Sequence, residues 1–223
     1  MTSKSLNLYK LLKLFGLKER QLTSALRREL YAERKKLDSG SDGGGDFHVP
    51  FWADAKGHVI GRVDLLEQTQ ARVDACEQRK RLYPQLASGF LDWLEQIKRS
   101  TNYEVGWREG HVHNHYPIPE LGLTVKVDNL LALSIGRDQY RLVYPYFTEK
   151  PVLSEQWARV GLWVMGEALP MHSRVDMEIL DVLRGQAFSG KSVFLKGDEE
   201  ALFSRRYKAI LSEWDALRPE YGL

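Results

Sequence analysis

The spacing of apolar residues changes once along this chain, close to residue 100, and few folds accommodate both halves. Before that point apolar residues recur at helical spacing. Leu8, Leu11, Leu12 and Phe15 share one face, and Leu22, Leu26, Leu30 and Leu37 share another. Leu86, Phe90, Trp93, Leu94 and Ile97, opened by Pro84, form a third stripe. From Tyr103 onward the pattern is that of strands. Residues 123–127, 130–135 and 140–147, with Gly136-Arg137-Asp138 as a turn, predict an antiparallel meander. Ser154 caps a helix to Glu167, residues 177–183 and 186–188 form a hairpin about Arg184-Gly185, and Asp198 caps a last helix to Leu217. The class this predicts is α+β: an N-terminal helical hairpin, then a mixed body with a central antiparallel sheet flanked by helices.

Charge divides the chain differently. Residues 1–37 hold ten Lys/Arg against three acids, a net +7, while the whole chain is +2, so the remainder is −5. Ser39-Gly-Ser-Asp-Gly-Gly-Gly-Asp46 reads as a flexible joint. The expected organisation is a basic helical hairpin at 1–37, a linker at 38–46 and an α+β body at 47–223, helical over 59–99 and built of sheet and helices over 103–217. On the hairpin, Lys18, Arg20, Arg27, Arg28 and Arg34 are candidates for phosphate contacts, which need cations but no particular base sequence. The bland alternative is an amphipathic hairpin with a solvated charged face.

Composition removes several classes. Cys76 is the only cysteine, so no internal disulfide and no cysteine-based zinc site can form, and a buried structural thiol on a helix is expected there. No apolar run approaches the roughly 18 residues of a membrane span. Lys10 and Lys13 interrupt the only N-terminal stretch that could serve as a secretory signal. A cytoplasmic protein without a membrane partner is the expectation.

Three short motifs bear on chemistry. Gly185-Gln-Ala-Phe-Ser-Gly190-Lys191-Ser192 satisfies G-x-x-x-x-G-K-[ST], but a phosphate cradle needs a helix starting at its lysine, and Ser192 to Lys196 is strand-prone. A hairpin turn is expected instead. His111, His113 and His115 alternate, so a strand would place all three on one face, a chelating arrangement for a divalent metal ion once an acid completes it. Asp54 and Lys56 form a D-x-K pair, a pattern in which an acid holds Mg²⁺ and a lysine polarises water, although Pro50 and Gly57 argue for a surface loop.

Over residues 121–217 the order of elements, with the phrases Val127-Asp-Asn-Leu-Leu-Ala-Leu133, Val143-Tyr-Pro-Tyr-Phe147 and Ile179-Leu-Asp-Val-Leu-Arg-Gly185, resembles the core of bacterial PD-(D/E)XK, restriction-endonuclease-like domains. The resemblance implies an acid at the start of the second strand, which falls on Asp128, and an acid-x-Lys triplet ending the third. Glu95 on the preceding helix is an accessory-ligand candidate. The third strand carries Tyr144-Pro145-Tyr146 in place of the triplet, and Glu149 and Lys150 are adjacent, so their side chains would diverge on a strand. The resemblance therefore implies a catalytically degenerate core that binds DNA, RNA or a protein partner. A metal-dependent nuclease and a pure protein–protein interaction subunit are the alternatives.

Overall fold

The computed structural model describes residues 4–39, 47–107 and 112–223. The chain opens with strand β1 (Lys4–Asn7) and helix α1 (Leu8–Gly16), where the Asn7 side chain accepts the Lys10 N–H at 3.0 Å and so caps the helix. Then follow α2 (Glu19–Ser39), α3 (Val49–Val59), α4 (Leu65–Asp74) and α5 (Tyr83–Arg99). Strands β2 (Val105–Trp107), β3 (Asn114–Ile118), β4 (Leu123–Val127), β5 (Leu131–Ile135) and β6 (Gln139–Tyr146) come next. Helix α6 (Glu155–Ala168), strands β7 (Met177–Asp181) and β8 (Gln186–Ser189), and helix α7 (Glu199–Leu217) complete the chain. The fold is α+β.

Two sheets share these strands. The larger has the order β2-β5-β6-β7-β8 and is antiparallel except for the β6–β7 pair, which is parallel because α6 carries the chain back across the sheet. Between β2 and β5 the chain leaves this sheet for β3 and β4 of the smaller one, then returns through β5, β6, the crossover helix α6 and the parallel β7. The smaller sheet has the order β1-β4-β3, with β1 parallel to β4.

The two faces of the larger sheet bury different apolar sets. Leu131, Leu133, Ile135 and Val143 point toward α3 and α5, where Phe51, Trp52, Phe90 and Trp93 lie. Leu142, Tyr144, Tyr146 and Ile179 point to the other face, packed with α1, α6 and α7. Gly89 lets α5 lie directly on the turn after β7, since a Cβ there would stand 2.1 Å from the Val182 carbonyl oxygen.

Several expectations need correction. The basic hairpin is not a separate head: Leu8, Leu11, Leu12, Leu26 and Leu30 are fully buried in the same core as α6 and α7, and β1 is a strand of the smaller sheet. Its amphipathic stripes simply had the body to bury against. Asp38 and Ser39 belong to α2, not to a linker, and residues 40–46 lie outside the described residues. Helix begins at Val49 rather than near 59, with Pro50 in its first turn. The segment 123–127 does not start the meander. It pairs with β1 and β3, and the short β2 takes its place beside β5. Cys76 is half-buried beyond the end of α4, just before a 3-10 turn, rather than within a helix. Asp198 makes no capping bond. Glu199 instead accepts the N–H groups of Lys196 (2.8 Å) and Gly197 (3.0 Å).

Candidate ligand-binding site

At the carboxyl end of β6, four elements converge on a cavity of about 160 Å³. The start of α1 supplies Asn7 and Tyr9, and α3 supplies Trp52 and Lys56. The β4–β5 turn supplies Asp128 and Asn129, and β6 with its exit supplies Tyr144, Pro145 and Phe147. Aromatic side chains form a large part of the wall. His48 stacks on Phe147 with ring centroids 4.7 Å apart, and Trp52 meets Phe147 edge-on at 5.6 Å. Tyr9 lies 6.2 Å from both His48 and Phe147.

This wall is fixed from behind. The Tyr9 backbone N–H donates to the Tyr144 hydroxyl at 2.8 Å, and the Thr148 hydroxyl donates to the Tyr9 hydroxyl at 3.0 Å. The Trp52 indole N–H donates to the Asn129 carbonyl at 2.6 Å. Asn129 has φ 60°, a left-handed turn conformation that asparagine tolerates. That turn sets Asp128 on the cavity wall between the two sheets.

The polar groups are few and distinct. Asp128 is the one carboxylate among the lining residues and Lys56 the one amine. The Lys56 ammonium sits 5.8 Å from the centre of the Trp52 ring. Burial pushes its pKa down from 10.5 to about 8, and the Asp128 carboxylate opposes that fall. Other acids near this end of the sheet are committed elsewhere. Asp181 is held by Arg184 at 2.9 Å, and Glu178 accepts the Trp93 indole N–H at 2.7 Å and pairs with Arg141 at 3.3 Å. Burial pushes both of these carboxyl groups up.

A second cavity, about 450 Å³, adjoins the first and shares Asn7 and Tyr9 with it. Its cations are Lys10, Lys13, Arg28 and Lys150. Glu29, the one acid among its lining residues, is engaged by Lys10 at 2.5 Å. Lys13 and Lys150 make no ion pair among the described residues.

The sequence-derived candidates fare unevenly. Lys18, Arg20, Arg27, Arg28 and Arg34 are all exposed on or beside α2. Arg27 pairs with Glu220 at 3.3 Å, and Arg34 pairs with Asp38 at 3.2 Å, so only Arg28 of the five reaches the basic cavity. His111 lies outside the described residues. His113 precedes β3 and His115 lies on it, both exposed, and among the described residues no group of three His, Cys, Asp or Glu could hold a metal ion. Asp54 and Lys56 lie on a helix rather than in a loop, and two residues apart on a helix they diverge. Asp54 is clamped by Arg72 through bonds of 2.9 and 3.1 Å, while Lys56 turns to the cavity that Asp128 lines. Glu95 is exposed and pairs with Arg99 at 3.0 Å, away from the site. In the 185–192 motif, β8 fills the space between the two glycines and no helix starts at Lys191, as a hairpin turn requires.

Sequence reasoning missed Tyr9, His48 and Phe147 as neighbours. The aromatic run Phe47-His48-Val49-Pro50-Phe51-Trp52 was the available signal for two elements of this wall. No family model matches the chain, and no curated protein is significantly similar to it. Among the described residues no helix is long and apolar enough to cross a membrane.

Proposed function

We propose that this is a non-catalytic, nucleic-acid-associated protein of the cytoplasm, built on a degenerate nuclease-like core. One observation carries the reading. Asp128 precedes β5, the second strand of the meander, where the resemblance to PD-(D/E)XK domains expects the first acid, but Tyr144-Pro145-Tyr146 on β6 stands where it expects the second acid and lysine. Of the order that carries the resemblance, β5, β6, the crossover helix α6 and the parallel β7 support it, whereas 123–127 lies in the other sheet. A single carboxylate is a poor donor set for Mg²⁺, which favours near-octahedral oxygen coordination and in nucleases works through several acids. What remains is a binding surface: an aromatic cavity beside four cations, suited to bases and phosphates respectively.

The test is a gel-shift series with single- and double-stranded DNA and RNA, at two salt concentrations, with and without Mg²⁺ or Mn²⁺. A salt-sensitive shift without cleavage is expected. Cleavage that stops with chelator overturns the reading in favour of a metal-dependent nuclease. Absence of any shift overturns it in favour of a protein–protein interaction subunit.

A further inference from the structure

The aromatic cavity and the basic cavity adjoin at Asn7 and Tyr9, which line both, and their chemistries divide as a nucleotide does. One side offers flat rings, one amine and one carboxylate. The other offers Lys10, Lys13, Arg28 and Lys150. We propose that the two form one site for single-stranded nucleic acid, in which a single unstacked base enters the Trp52 cavity and its flanking phosphates lie along the lysines. This rests on the nucleic-acid reading above and goes further, naming the strand form and the atoms that receive it.

Size favours one base. A cavity of about 160 Å³ is well below the roughly 300–1,000 Å³ of drug-sized ligand pockets. It therefore takes a single ring system and not a stack of two. The lining suits a flat ring, because Tyr9, His48, Trp52 and Phe147 all line the cavity and nucleic-acid bases stack on aromatic side chains. A duplex cannot supply such a base without unpairing and unstacking it, a cost that a single strand does not bear. The site therefore selects single strands.

The polar pair gives the base edge a polarity. The Asp128 carboxylate only accepts hydrogen bonds, and the Lys56 ammonium only donates them. A base edge with an N–H donor beside a ring nitrogen or carbonyl acceptor satisfies both groups. Adenine, cytosine and guanine offer this through the amine, and uracil and thymine through N3–H beside a carbonyl, so the pair orients a base without selecting one. In the adjoining cavity, Lys13 and Lys150 are held in no ion pair among the described residues, which leaves their ammonium groups available to phosphate.

The experiment uses the full chain and 12-nucleotide single strands of cytidine, adenosine or uridine, each with one central 5-iodopyrimidine. Anisotropy titration gives affinity, and irradiation followed by peptide mapping gives the position of the base. Cross-links at Tyr9, Trp52 or Phe147 are expected for all three strands. The double variant Lys13→Glu, Lys150→Glu, both at the groove surface, should weaken binding at least tenfold and flatten its salt dependence. Asp128→Asn should weaken the three strands alike, several-fold, without changing the salt slope. Binding with cross-links confined to other residues overturns the inference while leaving the nucleic-acid reading intact. Duplex binding as tight as single-strand binding does the same. Failure of every strand and duplex to bind removes both.

Discussion

The Tyr9 backbone N–H, in the first turn of α1, donates to the hydroxyl of Tyr144 on β6 at 2.8 Å. Residues 135 positions apart are thereby joined at the wall of the candidate site, and both line it. The bond also uses an amide that an α-helix leaves without an internal partner. The N-terminal helix is thus part of the site's frame, and its basic residues reach the groove because the helix is docked.

Tyr144→Phe removes that acceptor while keeping the ring. The loss expected is about 0.5–1.5 kcal/mol of unfolding free energy, the usual net worth of one intramolecular hydrogen bond. Denaturant titration checks it, and an unchanged midpoint would mean that water replaces the hydroxyl without cost.

The docking of α1 should be costly to undo. Leu12 is buried and packs against Gly161 of α6, where an added Cβ would stand 3.2 Å from it. Leu12→Ala should cost about 2–5 kcal/mol, the range for a leucine deleted from a packed core. Removing residues 1–37 altogether should abolish cooperative unfolding of the remainder, because it strips β1 from its sheet and uncovers the α6 and α7 face. A truncated chain that still unfolds in one sharp transition would show that the hairpin is dispensable.

How much of this was legible beforehand follows from the range of the interactions. The stripes Leu8 to Phe15 and Leu86 to Ile97 are local, period-3.6 signals, and both helices stand where those residues place them. What the stripes bury against is not local: nothing in residues 1–37 says that β1 will run parallel to β4, more than a hundred residues away. The same limit explains the site. Asp54-Ala-Lys56 looks like a pair in sequence, but helical geometry turns Asp54 to Arg72 and Lys56 to the cavity lined by Asp128. Asp128 was singled out by the resemblance to PD-(D/E)XK domains, whereas Tyr9 and Phe147 join it only through the tertiary fold.

Arg159 and Glu199 form a buried ion pair between α6 and the start of α7, with Asp198 at 2.6 Å on the same guanidinium. Glu199 also holds the Lys196 and Gly197 amides, so it closes the turn that launches α7. Removing one partner of such a pair leaves the other charged and buried, which typically costs about 3–5 kcal/mol. Arg159→Ala should therefore destabilise more than Arg27→Ala, whose exposed pair with Glu220 is worth at most about 1 kcal/mol. Thermal unfolding of the two variants side by side checks the order.

Lys56 makes the pH dependence of stability a reporter of the site. Its pKa in the folded chain is about 8, against 10.5 when unfolded. Below pH 8 both states hold the proton, and folding bears the full cost of burying a partly desolvated ammonium. Between pH 8 and 10.5 the folded chain has released the proton while the unfolded chain keeps it, so this group's contribution makes stability rise with pH across that window. Several buried tyrosines with raised pKa values, Tyr146 among them, act in the opposite sense at higher pH, so the wild-type curve alone mixes the two effects. Lys56→Met isolates the lysine, since the tyrosine contributions cancel in the difference. The wild type should gain on the variant steadily from about pH 8 to pH 10, and the variant should be at least as stable below pH 8. Urea midpoints measured at unit pH intervals give the difference directly. A flat difference would place the amine in water, outside the cavity that Asp128 and Trp52 line.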